Sequence, residues 1–411
     1  MKLTRRDFLL KGSAMIATLG LGGGLFYNHF GKSVFTAKKE FSADDSILVV
    51  VQLNGGNDGI NTLIPYGQGV YYDERPTLAY KQNEVLALDH QVGLHPSLAG
   101  MAALYKLGKL AIIQGVGYPK PDHSHFRSME IWQTAVPETI SHSGWLARYV
   151  ETSLARYDNP LKAIQIGNAA SKAFSSDTLN FPVIQTLESY QLMDPKTAMM
   201  EKNRILRAFQ DMYQADGQLE QLRVTSARGR DAYQSVEAIH ALSANYVNKI
   251  EYPNSGFARD LQLVSKLLAG GAGTRVFQVQ LGGFDDHADE KEQHARVLKQ
   301  LDEGLTAFYK DMETQGIQDR VAVMIFSEFG RRVRENGSGG TDHGTAAPMF
   351  VLGGSVKGGL YGGYPSLTQL DNGDLKYEVD FRTVYGTLID KWLKGDAAGV
   401  LGKSYEKLTF I

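Results

Sequence analysis

Asp342 and His343 stand side by side in the stretch GGTDHGTAAP, framed by Gly339, Gly340 and Gly344. A carboxylate next to an imidazole, with neighbours too small to crowd either, is a common ligand pair for a hard or borderline metal ion. Three other stretches carry related chemistry: NGGNDGIN with Asp58, KPDHSHFRS with His123, Ser124, His125 and Arg127, and GGFDDH with Asp285, Asp286 and His287. Each also has a plainer explanation. Asn, Asp and Gly are turn formers, HSHF can be the capped start of a helix, and GGFDDHADE can be an acidic helix N-terminus that complements the macrodipole. Against the last reading, Asp285 and His287 lie two apart at a strand end and can point the same way.

The elements that must position these residues alternate. Continuous apolar runs at Ile47 to Leu53, Leu110 to Gly117, within TRVFQVQLGGFDDH (Thr274 to His287) and within RVAVMIFSEFG (Arg320 to Gly330) read as strands covered on both faces. Helical patterns fall between them, in HPSLAGMAALYKLG and from Lys291 to Gly316. The middle, about residues 194–266, has helix formers and no strand signal, and reads as a helical insertion; a last amphipathic helix closes the chain. Strands alternating with helices predict an α/β fold with a largely parallel sheet, in which ligands bind beyond the carboxyl ends of the strands. All four polar groups would then meet at one edge. Carboxylates gathered there repel one another unless a cation sits among them.

Composition narrows the chemistry. With 411 residues, 43% of them hydrophobic and 21% charged, the chain can bury a large core, and its formal net charge of -2 gives no global attraction to nucleic acid or an anionic bilayer. Cysteine is absent, which removes disulfides, thiolate nucleophiles and Cys-based metal sites. Near the start, TRRDFLLKGSAMIATLGLGGG pairs Arg5 and Arg6 ahead of Phe8, Leu9 and Leu10 and runs into a short, glycine-containing apolar stretch. It resembles a Tat export signal, with residues 1–37 as signal and linker ahead of a domain over 46–411. The expectation is a periplasmic or secreted protein that meets the Tat translocase and touches a membrane only through that segment, should it stay uncleaved.

Five stretches together, LNGGNDGINTLIPYG, HSHFRSMEIWQT, GGFDDHADEKEQHARVLKQLD, FSEFGRR and GTDHGTAAPMFVLGG, resemble the exported proteins of the DUF1501 family and, more broadly, the alkaline phosphatase and sulfatase superfamily. The resemblance implies a three-layer α/β/α sandwich in which one or two divalent ions (Zn, Mn, Mg or Ca) clamp a small anionic ester for attack by a side-chain nucleophile. It places Ser124 as nucleophile, with His123, His125 and Arg127 around it, and Asp58, Asp342 and His343 as ligands of one ion. Asp285 with His287 would hold a second. The chain departs from the pattern in two places: Asn54 stands where the first-strand acid is usual, and no histidine follows His343. Either Asn54 or Asp58 fits the first position, and a second ion is absent or leans on His294 or Glu328. Hydrolysis of phosphate or related sulfate and phosphonate esters is the function so implied. The alternative is a catalytically degenerate member serving as an extracytoplasmic binding or assembly protein, and Tyr66, Tyr71, Tyr72 and Tyr80 leave a carbohydrate-directed role as a third.

Overall fold

The computed structural model describes residues 46–157, 159–187, 190 and 249–411, with positions 204, 208, 229, 232–236, 238, 239 and 242 between. The Tat-type segment and most of the 194–266 insertion lie outside the described residues.

Strand β1 (Ile47–Asn54) sits near the middle of a sheet with nine strands among the described residues. Its β-branched run is buried on both sides, and the pleat sends alternate residues to opposite faces. Ile47, Val49, Val51 and Leu53 enter one core with the helices Ala99–Lys106, Gly256–Ala269 and Glu290–Gln315. Leu48 and Val50 enter another with the helices His125–Thr134, Trp145–Ser153 and Phe381–Thr387. The result is the expected three-layer α/β/α sandwich. On the long helix Leu298, Leu301, Leu305, Phe308 and Met312 recur every three or four residues and form the stripe that faces the sheet. Gly316, at φ 70°, ends that helix in the left-handed conformation.

Parallel pairing joins β1 to β8 (Val276–Gly282) and β9 (Val321–Ser327), in a register that sets Asn54 against Gly282 and Leu53 against Ser327. β5 (Leu110–Gly117) runs the same way, so all four strands end at one edge. One strand does not. β12 (Ala347–Gly353) is antiparallel to both β5 and β9, and its first residue, Ala347, pairs with Val116 near the end of β5. A hairpin of β10 (Arg331–Glu335) and β11 (Thr341–His343) therefore rises from the end of β9 and returns into β12 at that same edge. This reversal delivers Asp342 and His343 to the other strand ends.

Among the described residues no helix is long and apolar enough to cross a membrane. Tyr66, Tyr71 and Tyr80 are buried in a small core beneath the edge, with Tyr72 packed against it, so the tyrosine-rich stretch packs.

Candidate metal centre

Close crossing of the loops builds the edge. Gly55 has φ 121°, and a Cβ there would lie 2.5 Å from the backbone nitrogen of Asp285, so only glycine lets the turns after β1 and β8 touch. Gly340 plays the same part for the hairpin, where a Cβ would lie 2.3 Å from the carbonyl carbon of His287. The buried Arg331 stitches the three loops together. Its guanidinium donates to the carbonyls of Gly55 (2.6 Å), Gly56 (2.7 Å), Phe284 (2.9 Å) and Thr341 (2.9 Å), and to Asp285 Oδ1 (2.8 Å). The planar fork suits such a junction.

Above it, three imidazoles converge on Asp285. His343 Nε2 and His287 Nε2 lie 3.1 and 3.0 Å from Asp285 Oδ1, and His125 Nε2 lies 3.4 Å from Oδ2. His287 Nε2 and His343 Nε2 are 3.0 Å apart. The far nitrogens of two rings are held by acceptors: His343 Nδ1 by the carbonyl of His123 at 2.8 Å, and His125 Nδ1 by the buried Glu328 at 2.9 Å. Glu328 is itself fixed by the Gly55 N–H at 2.8 Å. An acceptor at Nδ1 puts the proton there and leaves Nε2 of the neutral ring as a bare lone pair.

Electrostatics sharpen the picture. Burial opposes the charge of Asp285, but the hydrogen bond from Arg331 prevails and holds its carboxyl at about 2. Burial pushes His343 down, toward the neutral ring, while the Glu328 hydrogen bond lifts His125. Burial also lifts neighbouring Asp286 to about 6. A neutral His343 then directs a lone pair at an ionised carboxylate oxygen, acceptor facing acceptor. A divalent cation fits that donor set, since it is the group that lone pairs and carboxylate would share, and the acceptors behind the rings orient them as outer partners of metal ligands do.

The sequence-based expectations divide here. His125, Asp285, His287 and His343 come together. Asp342 stands just outside, its Oδ1 3.9 Å from His287 Nδ1 and 3.3 Å from Asn336 Nδ2. Asp58, expected among the rim ligands, is instead sealed below: it caps the helix Gly59–Thr62 and forms a two-pronged ion pair with the fully buried Arg75. Burial works against that charge, but Arg75 overrides it and keeps Asp58 far below the usual carboxylate range. Arg127, expected beside the nucleophile, is committed to Glu130 at 2.9 Å and to the carbonyls of Pro137 and Thr139 at 3.1 Å. Ser124 is exposed at the N-cap of the ten-residue helix His125–Thr134, and its side chain makes no capping hydrogen bond. His123 Nε2 rests on Asp374 Oδ2 at 2.9 Å.

Sequence reasoning missed Arg75 and Asp374. Nothing periodic marks the first. For the second a signal was present: DNGD, residues 371–374, is a tight-turn sequence, and Asn372 and Gly373 have φ of 52° and 92°.

Residues 90–372 match the family model described as "Protein of unknown function (DUF1501)". Among curated proteins none matches. Among solved structures, the C-terminal periplasmic domain of EcEptC from Escherichia coli, in complex with Zn, is 13% identical, covering 77% of this chain and 76% of its own at a TM-score of 0.36. A protein in the alkaline phosphatase superfamily from Vibrio parahaemolyticus is 10% identical, with 88% and 71% covered and a TM-score of 0.33. The lipoteichoic acid synthase LtaP from Listeria monocytogenes is 9% identical, with 97% and 79% covered and a TM-score of 0.33.

Proposed function

Since this chain belongs to the DUF1501 family, we propose that it is an exported metal-dependent hydrolase of phosphate esters, or of related sulfate or phosphonate esters, working at the rim of His125, Asp285, His287 and His343. The observation that carries the reading is the convergence of three imidazole Nε2 atoms on one carboxylate, with His125 and His343 fixed from behind. A donor set with more imidazole than carboxylate favours zinc over manganese, magnesium or calcium. When bound, such an ion supplies Lewis acidity to a substrate oxygen and lowers the pKa of a nearby hydroxyl.

The chain's own residues do the rest. Ser124 presents its hydroxyl at a helix N-terminus with no side-chain cap, where unpaired backbone N–H groups stabilise an anion. It is the nucleophile of this proposal: its oxygen bonds to the ester centre as the alcohol departs, and water then releases the anion and restores the hydroxyl. His123, held through Nε2 by Asp374, keeps Nδ1 as the nitrogen that can take the Ser124 proton and pass it to the departing alcohol. Arg331 keeps Asp285 ionised and in place.

Export through the Tat translocase is part of the proposal and rests on Arg5 and Arg6; replacing both with lysine should hold the protein in the cytoplasm, read by cell fractionation. The central test is a screen of aryl phosphate, phosphodiester and sulfate ester with and without chelator. Turnover that needs metal and vanishes in Ser124→Ala is expected. Metal-dependent turnover that survives in Ser124→Ala would remove Ser124 as nucleophile, and no turnover in either form would leave a binding protein.

A further inference from the structure

Exposed large apolar side chains are few among the described residues, and their placement is uneven. Among the described residues four are exposed: Leu107 (69%), Phe126 (91%), Ile140 (70%) and Tyr377 (40%). Leu107 lies just before β5, at the edge opposite the rim. The other three bracket the segment that carries His123, Ser124 and His125. Phe126 follows His125 in the first turn of its helix. Ile140 follows Thr139, whose carbonyl Arg127 holds at 3.1 Å, so the loop folds back beside that turn. Tyr377 lies against the end of β5, where a Cβ on Gly117 would come within 2.8 Å of its own Cβ. A single exposed apolar residue needs no explanation; three around one polar site do.

The exposure of Phe126 is imposed by the fold. Ser128, one half-turn on, is buried and hydrogen-bonded to the Glu328 carbonyl and to Tyr118, while Arg127 is clamped to the 137–139 loop, so the first turn cannot roll Phe126 inward. Several nearby cations are committed as well, Arg127 to Glu130, Lys172 also to Glu130, Arg332 to Asp374 and Arg331 to the loops below, while Lys120 and Lys376 stand exposed. Beside its imidazoles and carboxylates the rim offers hydrocarbon at Phe126.

We propose that this site selects amphiphilic esters, with the anionic centre at the imidazole rim and an apolar or ring-bearing group laid over Phe126, flanked by Ile140 and Tyr377. The assignment rests on reading the rim as an anionic-ester site, but its test does not require turnover. Phenylphosphonate and methylphosphonate share the head group and differ in the apolar part, so their dissociation constants from the metal-loaded full chain, measured by calorimetry, isolate that part. Phenylphosphonate binds about tenfold or more tightly than methylphosphonate to the native protein, in keeping with burial of part of a phenyl ring. In Phe126→Ala the ratio falls to within about twofold of unity, and in Leu107→Ala it keeps its native value. Equal affinities in the native protein, or a ratio unmoved by Phe126→Ala, overturn the assignment and leave the ester site standing. Neither phosphonate binding overturns both, whereas selective binding without ester turnover upholds this assignment and refutes only the hydrolase.

Discussion

Two groups of ligand-type side chains lie among the described residues: His125, Asp285 and His343 at the rim, and Asp58, Glu290 and His294 beneath it, with the donor atoms of each group within 4.8 Å of one another. They settle the same electrostatic problem by different means. In the sealed group Arg75 supplies an internal cation to Asp58, and Glu290 keeps its proton, its carboxyl pushed up to about 9 by burial and then by the Asp58 charge. His294, lowered to about 4 by burial, stays neutral and donates to Asn57 at 2.9 Å. At the rim the only guanidinium on Asp285 among the described residues is Arg331, while three rings face the carboxylate from the solvent side. Proximity of ligand-type residues does not by itself make a metal centre. The deciding question is whether the protein has already provided the balancing charge.

The sealed group should respond most strongly to losing its cation. Arg75→Met strands a buried carboxylate and should cost about 3–5 kcal/mol in urea denaturation; a loss below about 1 kcal/mol would show that Asp58 is balanced by something else. At the rim the cost appears in metal binding. Asp285→Asn should weaken binding by more than about 100-fold, or about 2.7 kcal/mol, in competition with a chelating dye, and unchanged affinity would remove Asp285 from the ligand set. Glu328→Gln, which removes the carboxylate behind His125, should cost about 10–100-fold. If it equals the native protein, the buried carboxylate is packing alone. The smallest effect belongs to Glu290→Gln, worth less than about 1 kcal/mol at pH 5. Because its folded pKa of about 9 lies above the usual 4.5, native Glu290 binds a proton that the unfolded chain releases. Its contribution to stability is thus present below the unfolded value and is lost as pH rises toward 9. The Gln variant lacks this slope and should gain on the native protein from pH 5 to pH 9; parallel stabilities across that range would mean that Glu290 is ionised in the fold.

Much of the scaffold was legible because its signals are local. The apolar run of β1, the β5 octet and the three-four spacing of Leu298 to Met312 state their own burial, and Gly316 marks its own stop. The reversal of β12 was not, since an apolar heptad such as APMFVLG carries no direction; its direction is set by pairing with β5 and β9. The rim residues were legible for the same local reason, as polar residues placed just past strand ends. Their roles were not. Asp58 and Asp285 look alike in sequence, and only contacts 17 residues away to Arg75 and 46 away to Arg331 tell the internal ion pair from the open site. His125 gains its orientation from Glu328, 203 residues distant.

The comparison comes down to where an ion binds. Metal content after dialysis against zinc, read with X-ray absorption of the bound ion, tests it most directly. A single ion in a mainly imidazole shell is predicted, lost in His343→Ala and in His125→Ala and retained in Glu290→Gln. An ion that survives both histidine changes and disappears with Glu290→Gln would put the metal in the sealed group and contradict the account.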